Sequence, residues 1–401
     1  MIGIEYREYR HEDSEGYNRI HDQEWRHIPE AFWHEWSHRK DTTMSVALIE
    51  GKVVGGIPFH IRRIRIGEGA TIEAAFEYSV VVDKDHRGKG IGTGMMDAAK
   101  RFLVDRCDAM MVYRGGETTK GYNFYAKNGH VDVTYIRKRT LANPKARQSR
   151  ADVGSIEELF KDEDEVLGIF HSAYDPYGGY PERCKGYWKE ATNSLIYQEI
   201  PHEPFKFLHL RDTKGRLRGY AIVGRQEGSK EYTILELATN RGDLSIAREL
   251  VLAACDLAAS KGCAVSTFCQ DTSHYASIYG QIGFSCTKRC EESEMIMVYP
   301  LMPERLVRKA WRGSPALKET KVVAWTPTRK VVLNDPESPR KTVTLEMKDD
   351  IFTRLLLRRI DIVNAVRREY MTMVGGSSKD LRAIASSLPY TGWEYHHIDF
   401  I

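Results

Sequence analysis

The stretch that decides the fold covers residues 76–92 and reads Phe-Glu-Tyr-Ser-Val-Val-Val-Asp-Lys-Asp-His-Arg-Gly-Lys-Gly-Ile-Gly. Its first seven residues are rich in β-branched side chains and predict a strand, and apolar residues at helical spacing follow it over 93–105. Glycines between a strand and a helix let the backbone approach a ligand, and their N–H groups add to the positive helix end. Residues 87–92, with Arg87 and Lys89, therefore predict a loop that binds a diphosphate. The loop is not a Walker A motif, because no Gly-Lys-Ser/Thr ends it, and it is not a dinucleotide fingerprint, because Thr93 stands where the third glycine belongs.

The same region occurs a second time in altered form. A gap-free shift places Glu77-Tyr78 on Glu231-Tyr232, Arg87-Gly88 on Arg241-Gly242, Tyr125 on Tyr279 and Gly129 on Gly283. The second loop has lost the later glycines and carries Asp243, which would repel a diphosphate. The repeat predicts two similar domains, of which only the first binds a phosphate-bearing ligand.

Length and composition set the limits of the domain organisation. A chain of 401 residues exceeds one typical domain. We predict α/β (α+β) domains at 1–145 and 146–300, separated by a polar linker at 143–150, and a smaller α+β domain at 301–401. In the last domain we expect one amphipathic helix over 350–370, with the pairs Arg358-Arg359 and Arg367-Arg368 on its solvated face.

Charge and cysteine content bear on partners and compartment. The formal net charge of +3 gives no reason to expect a nucleic-acid partner, and no segment has the roughly 18 apolar residues of a membrane span. The seven scattered cysteines lack paired spacing, so we expect reduced thiols, a cytoplasmic location and no metal.

The first repeat resembles the GNAT acetyltransferase superfamily. The pattern Arg-x-x-Gly-x-Gly at 87–92, five residues after the strand residue Val82, matches the superfamily's acetyl-CoA loop, and Phe124-Tyr125 followed by Gly129 matches its second signature. The resemblance implies that Tyr125 is the general acid, although the retained Tyr279 leaves a purely structural role open. It implies acetyl-CoA as co-substrate, bound by Val80, Val81, Val82, Arg87, Gly88, Lys89, Gly90, Ile91, Gly92, Thr93 and Thr118.

The order and length of the whole chain resemble the enhanced-intracellular-survival type of acetyltransferase. That type has an active GNAT domain, a degenerate one and a sterol-carrier-protein-like domain, and Arg183 with Tyr187-Trp188 resembles a pattern of its second domain. The resemblance implies a homo-oligomer and a terminal carboxylate, here that of Ile401, as general base. The apolar tail could equally be a terminal strand packed for stability. Glu77 is the other candidate base, although a glutamate at a strand end is more often solvated or paired.

The acceptor site is less defined by sequence. Trp25, Trp33 and Trp36 lie among acids in a helical region over 14–39, which suits a cationic amine or else an amphipathic helix with a tryptophan core. The leading hypothesis is N-acetyl transfer to a small amine or lysine side chain. The alternatives are a tandem-GNAT aminoacyltransferase, a CoA-binding regulatory protein without activity, and an enzyme that uses a longer acyl-CoA.

Overall fold

The structure is a computed structural model that describes residues 3–115, 120–286 and 293–399. Up to residue 141, the chain alternates strands and helices as the sequence predicts. The elements are β1 (Ile4–Glu8), α1 (Ser14–His21), α2 (Glu30–Ser37), β2 (Thr42–Ile49), β3 (Lys52–Gly67), β4 (Ala70–Glu77), β5 (Val81–Val82), α3 (Ile91–Leu103), β6 (Ala109–Gly115), α4 (Lys120–Lys127) and β7 (Val131–Leu141). The strand expected over 76–82 is split at Ser79, whose φ of 42° separates β4 from β5. The helical region expected over 14–39 is likewise two helices.

The second repeat follows the linker and rebuilds this order. Its elements are β8 (Asp152–Ser155), α5 (Ile156–Lys161), α6 (Glu163–Tyr174), β9 (Tyr180–Pro181), α7 (Tyr187–Ala191), α8 (Leu195–Glu199), β10 (Lys206–Arg211), β11 (Leu217–Gly224), β12 (Glu231–Thr239), α9 (Leu244–Ser260), β13 (Ala264–Cys269), α10 (Ala276–Ile282), β14 (Ser285–Cys286) and β15 (Ser293–Pro300). The prediction of a helix over 244–260 is confirmed by α9.

The two repeats share one mixed sheet of fifteen strands across the described residues, and they exchange strands within it. Strand β15 of the second repeat lies between β6 and β7 of the first, with Ile296 opposite both Tyr113 and Thr134. In return, β7 pairs with β13 and β14 of the second repeat. The parallel pairs β4–β6 and β12–β13 occupy equivalent positions in the two halves. Each repeat therefore completes the sheet of the other.

The gap-free alignment of the repeats is wrong at the strand before the loop. Glu77 ends β4 and pairs with Val112 in β6, whereas Glu231 begins β12 and pairs with Ala264 at the start of β13. The first repeat has more residues between this strand and the following helix, because its strand is interrupted at Ser79. Glu77 therefore reaches the end of the sheet where the loop lies, and Glu231 does not.

The last part of the chain forms a separate four-stranded sheet with helices against it. Its elements are α11 (Pro303–Ala310), β16 (Thr320–Trp325), β17 (Lys330–Asn334), β18 (Lys341–Met347), α12 (Asp349–Leu356), α13 (Ile362–Arg367), β19 (Met371–Val374) and α14 (Ser378–Ser387). Its apolar core is continuous with the face of the first sheet that carries Ile64 and Ile72. None of the described helices has both the length and the apolar character needed to cross a bilayer.

The prediction of a single helix over 350–370 is wrong. The chain turns at Arg358, which has a φ of 56°, and the region forms α12 and α13 instead. The turn directs the Arg358 side chain inward, where its Nε donates to Ala310 O at 3.0 Å and burial lowers its pKa to about 10. Arg359 donates to Thr391 O at 2.7 Å. The first arginine pair thus joins segments of the fold, while Arg367 and Arg368 are exposed as expected.

Candidate active site

The glycine loop starts helix α3 with open space above it. Gly88 and Gly90 have φ values of 77° and 79°, a left-handed conformation that favours glycine. A Cβ at either position would have no described heavy atom within 4 Å. Among the described residues, no side chain caps the start of α3, and the first residues of the helix line a cavity of about 270 Å³. The loop combines a positive helix end with room for an anionic group.

Most residues predicted to hold the co-substrate surround this space. The cavity is lined by Val80, Val82, His86, Arg87, Gly88, Gly90, Ile91, Gly92, Thr93 and Phe124. Val81 is buried, on the opposite side of the strand. Arg87 Nε donates to Val82 O at 2.9 Å and its guanidinium pairs with Glu24, while Lys89 Nζ donates to Asp85 O at 3.0 Å. Both cations therefore also fix the loop itself. The predicted residue Thr118 lies outside the described residues.

The equivalent loop of the second repeat is closed by its own side chains. Asp243 caps helix α9 by accepting from Ser245 N at 2.9 Å and Ile246 N at 3.3 Å. His274 covers Gly242, with its Nε2 at 2.6 Å from Gly242 O. A Cβ on Gly242 would lie 2.4 Å from the same nitrogen. The N–H groups that would bind a diphosphate here already have a carboxylate partner.

Tyr125 lies on α4 at the wall of a second cavity, which adjoins the loop and measures about 880 Å³. The helix ends at Lys127, and Gly129, with a φ of 86°, turns the chain so that His130 N donates back to Tyr125 O at 3.0 Å. The turn brings the His130 ring to 5.4 Å from the Tyr125 ring, centroid to centroid. The second signature therefore has a geometric role, because it fixes Tyr125 between the loop and His130.

Glu77 lies behind Tyr125, paired with a residue that sequence reasoning missed. Its Oε1 is 2.6 Å from His130 Nε2, and both side chains are fully buried. Within the described structure, Glu77 Oε2 and His130 Nδ1 have no hydrogen-bond partner. Glu77 therefore lines the cavity as a paired residue, and it is not exposed to an entering amine.

A second carboxylate enters the cavity from the second repeat. Glu199 stands at the end of α8, and its Oε1 accepts from His21 Nε2 at 2.8 Å and from Ser79 Oγ at 2.5 Å. The backbone of Ser79 is held in turn by Tyr17, whose hydroxyl donates to Ser79 O at 2.8 Å. Ile196 and Ile200 flank Glu199 on the same wall. Nothing in the sequence indicated this residue, because its proximity depends on how the repeats pack.

The three predicted acceptor tryptophans occupy different environments. Trp25 lines the large cavity and is 42% exposed. Trp36 is buried and donates from Nε1 to the hydroxyl of Tyr78, another cavity residue. Trp33 is 1% exposed and packs its ring on Tyr17 and Trp36. Of the three tryptophans, only Trp25 therefore lines the cavity. Helix α2 contacts it indirectly, through the hydrogen bond from Trp36 to the cavity residue Tyr78.

Residues 393–399, the described end of the chain, are mostly buried, and Tyr395 contacts a residue of the cavity wall. The Tyr395 ring is 5.3 Å from the ring of Tyr113, a cavity residue. Further along, Asp399 Oδ1 accepts from Tyr187 OH at 2.6 Å and lies 2.8 Å from Arg183 NH2. Arg183 NH2 also bonds Glu236 Oε2 at 2.7 Å. The predicted base, the carboxylate of Ile401, lies outside the described residues.

Comparison with known proteins agrees with this geometry. Residues 6–130 match the model of the acetyltransferase (GNAT) family, so this part of the chain is a GNAT acetyltransferase domain. No curated protein sequence matches the chain.

Solved structures match over the whole length. A GCN5-related N-acetyltransferase from Anabaena variabilis is 12% identical, with 100% of both chains covered and a TM-score of 0.70. A probable N-acyltransferase from Enterococcus faecalis is 11% identical over 99% of this chain and 98% of its own, with a TM-score of 0.69. Eis1 from Mycobacterium abscessus is 13% identical over 99% of each chain, with a TM-score of 0.60. At these identities the likeness shows the fold.

Proposed function

We propose that the chain is an acetyl-CoA-dependent N-acetyltransferase that moves the acetyl group to a primary amine by direct attack in a ternary complex. The observation that carries the proposal is the contrast between the two loops. The first has left-handed Gly88 and Gly90 under open space, and the second is closed by Asp243 and His274. The proposal extends the GNAT assignment of residues 6–130 to a donor, an acceptor class and a reaction path.

The loop has the features that a CoA diphosphate needs. The first residues of α3 line the loop cavity without a described side-chain cap, and the positive end of the helix favours an anion there. Val80 and Val82, at the split between β4 and β5, line both this cavity and the larger one. Acetyl-CoA supplies an activated acetyl thioester; the protein supplies its orientation.

In the proposed mechanism, the residues of the larger cavity carry out the proton transfers. In the proposed reaction the amine nitrogen forms a bond to the acetyl carbon and the carbon–sulfur bond breaks. The Tyr125 hydroxyl gives its proton to the departing thiolate. Backbone N–H groups near Val80 support the charge that develops on the carbonyl oxygen. The amine proton passes to a carboxylate, for which the terminus at Ile401 remains our candidate, on the resemblance of the whole chain to the enhanced-intracellular-survival type.

The cavity suits an acceptor that arrives as a cation. Glu199 brings a carboxylate whose Oε1 is held by His21 and Ser79, and neither bond uses its Oε2. Trp25 offers an aromatic face at the same cavity. An ammonium would gain from both, and the flanking Ile196 and Ile200 suit its alkyl chain. We therefore expect a small amine or a lysine side chain.

Thermal unfolding with CoA and with acetyl-CoA tests the cofactor site. A ligand that binds only the folded chain stabilises it by about 2.7 kcal/mol at a hundredfold excess over its Kd. Gly90→Glu places a carboxylate in the loop cavity and should abolish the stabilisation. Gly262→Glu is the matched control, because Gly262 also has a positive φ, of 62°, and open space around its Cβ position.

Two results would refute the site. One is an equal ligand-induced shift in both glycine variants. The other is no shift with the unmodified protein, which would remove CoA as the co-substrate. A shift that only Gly90→Glu loses would justify a screen of amines by release of free thiol.

Activity of Tyr125→Phe separates an enzyme from a CoA-binding regulator. Both an enzyme and a regulator would bind CoA at the loop. Only the enzyme needs a proton donor beside the CoA sulfur. Loss of acetyl transfer with retained CoA binding supports the enzyme. Unchanged transfer would exclude Tyr125 as the acid.

A further inference from the structure

Three histidines lie together on the surface of the first repeat. His34 is on α2, His38 is one turn later at its C-terminal end, and His11 is in the turn that follows β1. The ring centroids are 4.7 Å apart for His11 and His34, 4.7 Å for His11 and His38, and 4.6 Å for His34 and His38. One ring nitrogen from each lies within 4.8 Å of one from each of the others. Three histidines in one cluster are a ligand set of open zinc sites.

Neighbouring hydrogen bonds fix two of these rings in a metal-binding tautomer. His38 Nδ1 is 2.7 Å from the His34 carbonyl oxygen, so it carries a proton and donates it. Ser37 Oγ donates its only proton to His34 O at 2.9 Å, and it therefore accepts from His11 Nδ1, also at 2.9 Å. With both Nδ1 atoms protonated, the Nε2 atoms of His11 and His38 carry free lone pairs. Metal-ligating histidines usually have such an outer hydrogen bond.

The distances allow an ion with small side-chain rotations. Zinc–nitrogen bonds of about 2.0–2.1 Å at a tetrahedral angle need ligand atoms about 3.4 Å apart. The ring centroids are 4.6–4.7 Å apart and all three side chains are exposed, so rotations that bring the ligand nitrogens to this spacing require no change in the core. Their side chains face solvent, which gives the ion an entry path.

A second group of potential ligands does not meet these conditions. Asp41, His60 and Glu190 also approach one another, but Arg39 lies among them. Its guanidinium is 2.6 Å from Asp41 and 2.5 Å from Glu190, so the carboxylates already have a cation.

We propose that His11, His34 and His38 bind one Zn²⁺ ion, with the fourth position open to water. The ion joins the turn after β1 to helix α2. That helix carries Trp36, whose indole donates to the cavity residue Tyr78. A bound ion therefore stabilises the helix next to the acceptor cavity. The expectation of no metal came from cysteine spacing, which says nothing about histidines brought together by folding.

Calorimetric titration of the untagged, EDTA-treated chain with ZnCl₂ tests the proposal directly. We expect saturable binding of one ion per chain, and a higher unfolding midpoint with the ion. His11→Gln, His34→Gln and His38→Gln should each lose most of the affinity and the midpoint shift. His27→Gln is the matched control, because His27 is exposed nearby and bonds Asp22 outside the cluster. Ser37→Ala, which keeps all three ligands, should bind about 10–100-fold more weakly.

Two outcomes would overturn the site. One is no saturable binding by the unmodified chain under conditions in which its circular dichroism shows a folded protein. The other is unchanged zinc affinity in all three histidine variants. Neither outcome depends on acetyl transfer, so the zinc site and the proposed enzyme activity can fail separately.

Discussion

Replacing Arg183 with methionine should destabilise the chain far more than replacing its partner Asp399 with asparagine. Arg183 is fully buried and bonds both Glu236, at 2.7 Å, and Asp399, at 2.8 Å. The cluster therefore holds two carboxylates for one guanidinium. Arg183→Met leaves both acids buried without a cation. Asp399→Asn instead leaves Arg183 and Glu236 as a pair whose opposite charges balance.

The magnitude follows from the cost of an unpaired buried charge. Removing one partner of a buried ion pair costs about 3–5 kcal/mol. Trp188 and Tyr220 still donate to Glu236 Oε1, at 2.6 and 2.7 Å, but they are neutral. For Asp399→Asn we expect a change of about 1 kcal/mol or less, because the amide oxygen can still accept from Tyr187.

Thermal unfolding at pH 7 measures both variants. At about 2–4 °C per kcal/mol for a unit of 150–250 residues, Arg183→Met should lower Tm by roughly 6–20 °C. Burial raises the pKa of Asp399, so its ionisation opposes folding, and its stabilising contribution is lost as the pH rises through that pKa. The Tm of Asp399→Asn should therefore increase relative to that of the unmodified chain as the pH rises. Equal losses in the two variants would refute the charge-imbalance argument.

Three further outcomes are expected. Tyr125→Phe should lower the acetyl-transfer rate about 10²–10⁴-fold and leave the CoA-induced thermal shift intact; an unchanged rate would contradict its role as acid. Glu199→Gln should raise KM for a cationic amine about tenfold, the equivalent of ~1.4 kcal/mol, without changing CoA binding; equal KM values would place the amine elsewhere. Burial raises the pKa of Glu394 to about 7, so the free energy of unfolding should fall as pH rises from about 4.5 to 7, by about 3 kcal/mol at most. Glu394→Gln should therefore raise Tm at pH 8 but not at pH 4, and the same Tm gain at both would refute this.

The features predicted from sequence are those that depend on local backbone requirements. The loop was identifiable because Gly88 and Gly90 occupy left-handed positions that other residues adopt at a cost of about 1–2 kcal/mol. Helix α9 was predicted over its whole length because its apolar spacing is uninterrupted. The break at Ser79 was not predicted, because a serine in a β-branched run gives no sign of a positive φ.

The features that were missed depend on packing between distant segments. Strand β7 has the same alternating pattern whether it pairs within its own repeat or with β13, so the strand exchange left no signal. His130 could have been suspected, because it follows Gly129 directly and the glycine turn folds it beneath Tyr125. Glu199 could not, because it comes from a helix in the other repeat.

The strand exchange also gives the second repeat a reason to persist without a working loop. Strand β15 lies between β6 and β7, so the sheet that carries Tyr113 in the first repeat is incomplete without residues 293–300. Helix α8 closes the large cavity with Ile196, Glu199 and Ile200. A second repeat that kept an open anion loop would gain nothing for either role, and closing it with Asp243 adds a helix cap worth about 1 kcal/mol. The closed second loop therefore stabilises α9, while the second repeat still supplies a strand and part of the proposed acceptor cavity to the first.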